Sequence, residues 1–310
     1  MAWLPDHLRL SCAIQFPETV QIAIEREMAA SACLRKLGRI LALEEKMDPT
    51  DISDFQPKKY SFANKQKTVL RIGNGGPAII VIHEIYGFTH TLARFCRLIA
   101  GAGFQVYAPI LFGRADATNP EEQSLSRLIG LCVSREIHLF ARGRSSPIVE
   151  WLKPLCRKAH EECGGSGVGV IGMCLTGGFA LSMAVDPEVL APVLAQPGLP
   201  ALAHSSINVS KVDLGIIRQR IEAEGLEVHG YRFQGDAICR AERFETLRKA
   251  LGSGFKSHVL ADSSANPIGP MAKAKKPPHS VFTGDLIDEP MHPTREAVNE
   301  VIAFFRSRLC

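Results

Sequence analysis

The chain has 310 residues, 46% hydrophobic and 22% charged, with 36 basic against 32 acidic side chains and a formal net charge of +4. That is enough for one large α/β domain with an appendage, and the interleaved charges fall well short of a nucleic-acid binder. No apolar stretch is long enough to span a bilayer, so neither a nucleic acid nor a membrane is an expected partner. The nine cysteines form no C-x-x-C pair, and a chain of this size needs no disulfide staples, which fits a reducing, cytoplasmic setting. Charged residues from Asp6 onward argue against a secretory signal.

Residues 1–58 read as a helical extension. Between Gln21 and Lys46 the apolar residues Ile22, Ile24, Met28, Cys33, Leu37, Ile40 and Leu43 recur at helical spacing, until Asp48-Pro49 breaks the pattern. Such a stripe can pack on the main domain or join two copies into a homo-oligomer. Residues 59–310 then alternate strands and helices. Strands are predicted at Thr68–Ile72, Ala78–His83, Phe104–Pro109, Gly167–Gly172, Val189–Ala195, Glu227–Phe233 and Phe255–Ala261. Helices are predicted at Thr91–Ala102, Ser146–Cys163, Thr176–Val185, Lys211–Ala223, Ala241–Leu251 and Pro293–Leu309. This alternation implies a mostly parallel central sheet with helices on both faces, the α/β class. Residues 114–145 read as an excursion over the carboxyl edge of that sheet.

The most informative segment is Val168-Gly-Val-Ile-Gly-Met-Cys174-Leu-Thr-Gly-Gly178. A buried strand stops at Cys174 and two glycines open a helical pattern, which is the nucleophile elbow of an α/β-hydrolase fold. Gly172 permits the strained turn to approach the next helix, whose first N–H groups favour a thiolate. A cysteine hydrolase also needs a base, an orienting acid and oxyanion donors. In this fold the acid and the histidine follow the nucleophile along the chain. Asp236 ends the strand Tyr231–Phe233 in a Gly-Asp turn and is the candidate acid. His279 and His292 compete as base; His279 is preferred because Ser-Val-Phe after it can anchor its loop, whereas His292-Pro293 reads as a helix start. Upstream, His83-Glu84-Ile85-Tyr86-Gly87 follows a buried strand, so the N–H groups of Ile85 and Leu175 are the expected oxyanion donors. Glu84 is costly at the end of a buried strand unless it is partnered.

Taken together, His83-Glu-Ile-Tyr-Gly87, Leu98 to Pro109, the Gly172-Met-Cys-Leu175 elbow, Gly235-Asp236 and His279-Ser-Val-Phe282 resemble the dienelactone hydrolase family, in the family's order and from about Tyr60 onward. The resemblance implies an eight-stranded α/β-hydrolase core with no large lid domain. It also implies a triad of Cys174, His279 and Asp236, and a Glu84 that contacts the resting thiol and helps it to ionise. Two departures stand out. Thr176 occupies a position where the family has glycine; it can cap the helix but crowds the turn. Ser263–Pro278 reads as an insertion. The family's carboxylate-binding arginines have no motif here, with Arg135, Arg142 and Arg240 as candidates.

Gly167-x-Gly-x-x-Gly172 matches a dinucleotide pattern, but its glycines lie within and at the end of a strand, and the next strand ends at Gln196 rather than an acid. His83-Glu84 with His90 lacks zinc-helix spacing. No cofactor and no metal are therefore expected. The expected activity is hydrolysis of a small-molecule carboxylic ester or lactone through a Cys174 thioester. The alternatives are a thioesterase at the same site, or a non-catalytic relative that binds a small ligand or a partner, a reading that Thr176 favours.

Overall fold

The computed structural model describes residues 51–111, 146–198, 207 and 209–310. The helical stripe at 21–46, the excursion at 114–145, Arg135 and Arg142 lie outside the described residues. Pro49–Cys310 form one compact unit.

Eight strands make one sheet in the order β1-β2-β4-β3-β5-β6-β7-β8. They are β1 Gln56–Phe62, β2 Lys65–Ile72, β3 Ala78–Ile82, β4 Gln105–Pro109, β5 Val168–Met173, β6 Val189–Ala195, β7 Val228–Phe233 and β8 Phe255–Leu260. β2 is antiparallel to both β1 and β4, while β4, β3, β5, β6, β7 and β8 pair in parallel. The described helices are α1 His90–Gly101, α2 Pro147–Cys163, α3 Gly177–Met183, α4 Lys211–Glu224, α5 Ala241–Leu251, the short α6 Pro270–Lys273 and α7 Pro293–Leu309. This is the α/β-hydrolase architecture expected from the alternation of the sequence. None of the described helices is long and apolar enough to cross a membrane.

The sheet has a core on each face because its central strands are apolar at successive positions. In β3 every residue is buried, Ile80 and Ile82 entering one cluster with Trp151, Leu152 and Leu155 of α2, Phe179 of α3 and Phe244 of α5. Ile79 and Val81 enter the other, with Phe95 and Ile99 of α1 and Val301, Phe304 and Phe305 of α7. Each such aliphatic side chain removed from water contributes roughly 1.5–3 kcal/mol. Period-two alternation sends neighbours to opposite faces, so a fully apolar strand specifies a doubly covered sheet.

The strand the sequence left unassigned is β1. Its segment Gln-Pro-Lys-Lys-Tyr-Ser-Phe buries only Tyr60, as an edge strand carrying Pro57, Lys58 and Lys59 does. Gln56–Lys58 therefore belong to the sheet although they precede position 59. The hairpin to β2 turns on Ala63 and Asn64, with φ of 48° and 58°, the doubly left-handed turn that suits twisted strands. Ala-Asn is a weaker signal for that turn than Asn-Gly, and it hid the hairpin.

At the carboxyl end of β5 the chain reverses within one residue. Cys174 has φ 56°, followed by a 3-10 turn Cys174–Thr176 and then α3. A Cβ at position 172 would lie 2.1 Å from the Thr176 carbonyl oxygen, and one at position 177 would lie 2.7 Å from the Pro197 Cβ. The glycines are thus demanded by close backbone approach. Gly172→Ala is expected to cost about 3 kcal/mol or more, since the obstructing atom is backbone and cannot swing away. Gly215→Ala, at an open position inside α4, should be neutral or stabilising by up to about 1 kcal/mol. Denaturant unfolding of the two variants checks the contrast.

Candidate active site

Four strand ends converge at the carboxyl edge of the sheet: β3 delivers His83 to Gly87, β5 delivers Cys174, β6 delivers Gln196 and β7 delivers Asp236. The histidine arrives from beyond β8, on the turn His279–Asp285.

His279 and Asp236 lie side by side. His279 Nδ1 lies 2.7 Å from Asp236 Oδ2, and both side chains are buried. Asp236 Oδ1 accepts from the Ile238 and Cys239 N–H groups at 2.8 and 2.9 Å, so the carboxylate is held at both oxygens. It does not cap the next helix, whose N-cap is Arg240. Burial alone would lower the His279 pKa; the electrostatic influence of Cys174 beside it and the Asp236 hydrogen bond outweigh that and hold it well above the ordinary imidazole value. Its Nε2 is buried and makes no well-formed hydrogen bond to a described residue. The turn that presents His279 is fastened by Asp285, whose Oδ2 accepts from the His279 and Ser280 N–H groups, both at 2.9 Å. His292, the rival base, is the N-cap of α7, its Nδ1 facing Thr294. Arg240 is exposed and its Nε donates to the Ala237 carbonyl.

Thr176 resolves the question its presence raises. It is fully buried and gives α3 no side-chain cap. Its hydroxyl turns back instead, accepting from the Met173 N–H at 2.8 Å. Its one proton points among the carbonyl oxygens of Met173, Ile82 and His83 at 2.9, 3.1 and 3.1 Å. Thr176 thereby ties the ends of β5 and β3 together, and the elbow forms with threonine in the glycine position.

Next to that tie, His83 sets the start of the loop from Glu84 to Gly87. Its Nε2 accepts from the Leu111 N–H at 2.9 Å, so the ring proton sits on Nδ1, which donates to the Glu84 carbonyl at 2.6 Å. Burial lowers its pKa to about 4. The loop then turns through Gly87, at φ 87°, whose N–H donates to the Glu84 carbonyl at 3.1 Å. Neither the Ile85 nor the Leu175 N–H donates to another described residue.

Glu84 lies where the sequence places it, with different partners. Its carboxylate accepts from Gln196 Nε2 at 2.9 Å, Thr283 Oγ1 at 2.8 Å and Ser280 Oγ at 3.3 Å, and makes no hydrogen bond to Cys174. Burial raises its pKa, while the charge of His279 and the hydroxyl donors oppose the rise. The histidine turn supplies two of the three donors, so the carboxylate is committed to that turn. Tyr86, half-buried, has its pKa pushed up to about 12 by burial, with the charges of Glu84 and Cys174 adding to it. It therefore remains a neutral phenol.

With this geometry in view, the model of the Dienelactone hydrolase family matches residues 67–217. Over those residues, just under half of the chain, the sequence is similar to the dienelactone hydrolase family. Solved structures similar to it include the dienelactone hydrolase from Anabaena variabilis, at 15% identity and TM-score 0.50, covering 82% of this chain and 100% of that one. A dienelactone hydrolase-like promiscuous phosphotriesterase from metagenomic libraries aligns at 18% identity and TM-score 0.55, covering 81% and 97%. A cold-adapted esterase from an Arctic intertidal metagenomic library aligns at 14% and 0.53, covering 84% and 97%. At these identities the structural likeness carries the fold. No curated protein sequence matches the chain.

Gln196, Ser280, Thr283 and Asp285 were missed in the sequence. No local motif marks them; the one available signal was that buried strands β3 and β6 run straight into polar residues, His83-Glu84 and Gln196.

Two outcomes follow from these contacts. Thr176→Val keeps the shape but strands the Met173 N–H and the strand-end carbonyls, and should cost about 1–3 kcal/mol in denaturant unfolding. For His83, a folded pKa near 4 against an ordinary value of about 6.5 means that only the unfolded chain binds the proton between those values. Stability linked to His83 is then present at neutral pH and lost as pH falls from about 6.5 to about 4, by up to about 3 kcal/mol. The stability gap between wild type and His83→Gln should narrow by that amount over the same range in parallel unfolding curves.

Proposed function

We propose that this protein hydrolyses small carboxylic esters or lactones through a covalent thioester on Cys174. The observation that carries the reading is the 2.7 Å contact of His279 Nδ1 with Asp236 Oδ2, which leaves Nε2 without another committed partner and Cys174 beside the ring. Cys174 on its left-handed turn is the nucleophile. A buried histidine whose protonated form is favoured accepts the thiol proton as sulfur attacks the carbonyl carbon. The carbonyl oxygen gains charge and is met by the N–H groups of Ile85 and Leu175. The ester C–O bond then breaks, and His279 returns its proton to the departing alkoxide. Water attacks the thioester with His279 again taking a proton, the C–S bond breaks, and the carboxylic acid leaves. Asp236 keeps the ring in the tautomer with Nε2 toward sulfur and stabilises its charged form.

The match to the dienelactone hydrolase family supports the reaction class, and the closed hydrogen-bond set of Asp236 supports its role as orienting acid. Asp285 and Glu84, fastened to the histidine turn, hold that turn and do not touch the thiol. In a reaction of this kind each member acts within one unit, so removing any one costs most of the rate. Cys174→Ala and His279→Ala should each lower kcat on a short-chain aryl ester by at least about a thousandfold, and Asp236→Asn by at least about a hundredfold. Steady-state hydrolysis, with circular dichroism to confirm folding, makes the comparison; a Cys174→Ala variant with wild-type turnover overturns the proposal.

A further inference from the structure

We infer that Gln196 is a positioning residue that clasps the oxyanion loop to the histidine turn, an assignment that rests on the thiol mechanism proposed above. Gln196 follows the last residue of β6 and is fully buried. Its φ is 35°, a strained value for a residue with a side chain, and Pro197 follows it directly. Its own N–H continues the sheet by donating to the Tyr231 carbonyl at 2.7 Å. The surroundings must hold the strained residue in place, and the side chain shows what the strain secures.

The amide makes two bonds to segments far away in the chain. Nε2 donates to Glu84 Oε1 at 2.9 Å, across 112 residues. Oε1 accepts from the Val281 N–H at 3.3 Å, across 85 residues, a proton shared with the His279 carbonyl at 3.1 Å. Glu84 adjoins Ile85, and Val281 lies two residues past His279. One neutral amide therefore spans the loop proposed to hold the oxyanion and the turn that presents the proposed base. A neutral amide satisfies both neighbours at once, because one partner needs a donor and the other an acceptor. Leucine offers neither bond. Glutamate offers both only when protonated.

The two residues after Gln196 press on the rest of the site. Pro197 packs so closely that a Cβ on Gly177 would lie 2.7 Å from its Cβ. The Gly198 N–H donates to the Cys174 carbonyl at 3.0 Å. A Cβ on Gly198 would lie 2.7 Å from Ile238 Cγ2 and 3.6 Å from His279 Cε1. The segment 196–198 thus runs as a strap against the elbow, the acid loop and the histidine ring, with Gln196 as its anchor. The anchor matters electrostatically as well, since Glu84 has only neutral donors around its carboxylate and Gln196 is one of three. A second carboxyl at position 196 would share one proton with Glu84 at low pH and repel it once that proton is lost.

The test compares kcat, KM and pH profiles of aryl-ester hydrolysis for wild type, Gln196→Leu, Gln196→Glu and Cys174→Ala. Gln196→Leu should lower kcat by about tenfold or more with KM within about twofold, since the loops lose alignment while the binding surface stays. Gln196→Glu should approach wild-type kcat near pH 5.5, where one shared proton rebuilds both bonds, and fall at least about tenfold below wild type by pH 8, recovering on reacidification. A role confined to packing would give no such pH-dependent recovery. Should Gln196→Leu fail to fold, Gln196→Glu carries the test alone. The inference is overturned if Gln196→Glu follows the wild-type pH profile, or if folded Gln196→Leu keeps wild-type kcat. Turnover surviving in Cys174→Ala overturns the thiol mechanism, and the inference with it; loss of turnover there with an unaltered Gln196→Glu profile overturns only the inference.

Discussion

Cys174 sits at a φ of 56° because β5 must reverse into α3 within a single residue, and the reversal is possible only where Gly172 lacks a Cβ that would strike the Thr176 carbonyl oxygen at 2.1 Å. This close approach lifts the thiol above the carboxyl edge of the sheet and leaves the Leu175 N–H without a partner among the described residues. It also fixes where everything else must stand. The strand ends of β3, β6 and β7 border that edge because the sheet order puts β3 and β6 on either side of β5 and β7 beyond them. Thr176 reinforces the turn by linking β5 to β3 through one buried hydroxyl, whose cost is offset by four backbone partners.

Around this turn the site contains an uncommon number of buried polar groups, and they are paired in two layers. Asp236 holds the ring of His279, while Asp285 holds its backbone. Glu84 holds the side chains of Ser280 and Thr283, one and four positions past His279. Two of these carboxylates, Glu84 and Asp285, have pKa values raised by burial. Their charges are instead distributed over hydroxyl, amide and backbone donors, which fixes geometry without neutralising the field felt by the imidazole. The histidine turn is thereby held by hydrogen bonds as well as by the apolar packing of Val281 and Phe282.

Much of this was legible in the sequence, for definite reasons. The central strands announced themselves because a doubly covered parallel strand is apolar at every position, as in Ile79–Ile82. The elbow was visible because a close backbone approach leaves glycine no substitute. Asp236 and His279 are candidates from chain order, and they lie in contact. β1 was not legible: an edge strand with one buried residue has no alternation to read. Nor were the partners of Glu84, since a resemblance can transfer a residue but not its hydrogen bonds. Thr176 misled in the same way, being judged by the space it occupies when its hydroxyl decides its role. Gln196 joins segments 112 and 85 residues away, and Asp285 closes a turn on residues five and six positions before it; neither follows a readable period.

The central claim is that the acyl group passes through the sulfur of Cys174. Its most direct measurement is rapid acid quenching of protein turning over an aryl ester, followed by peptide mass spectrometry. The account predicts an acyl mass increment on the peptide containing Cys174, rising within the first turnover and discharged when substrate is exhausted. An acyl group carried by any other residue, or first-turnover release of the alcohol with no adduct at any time, would contradict it.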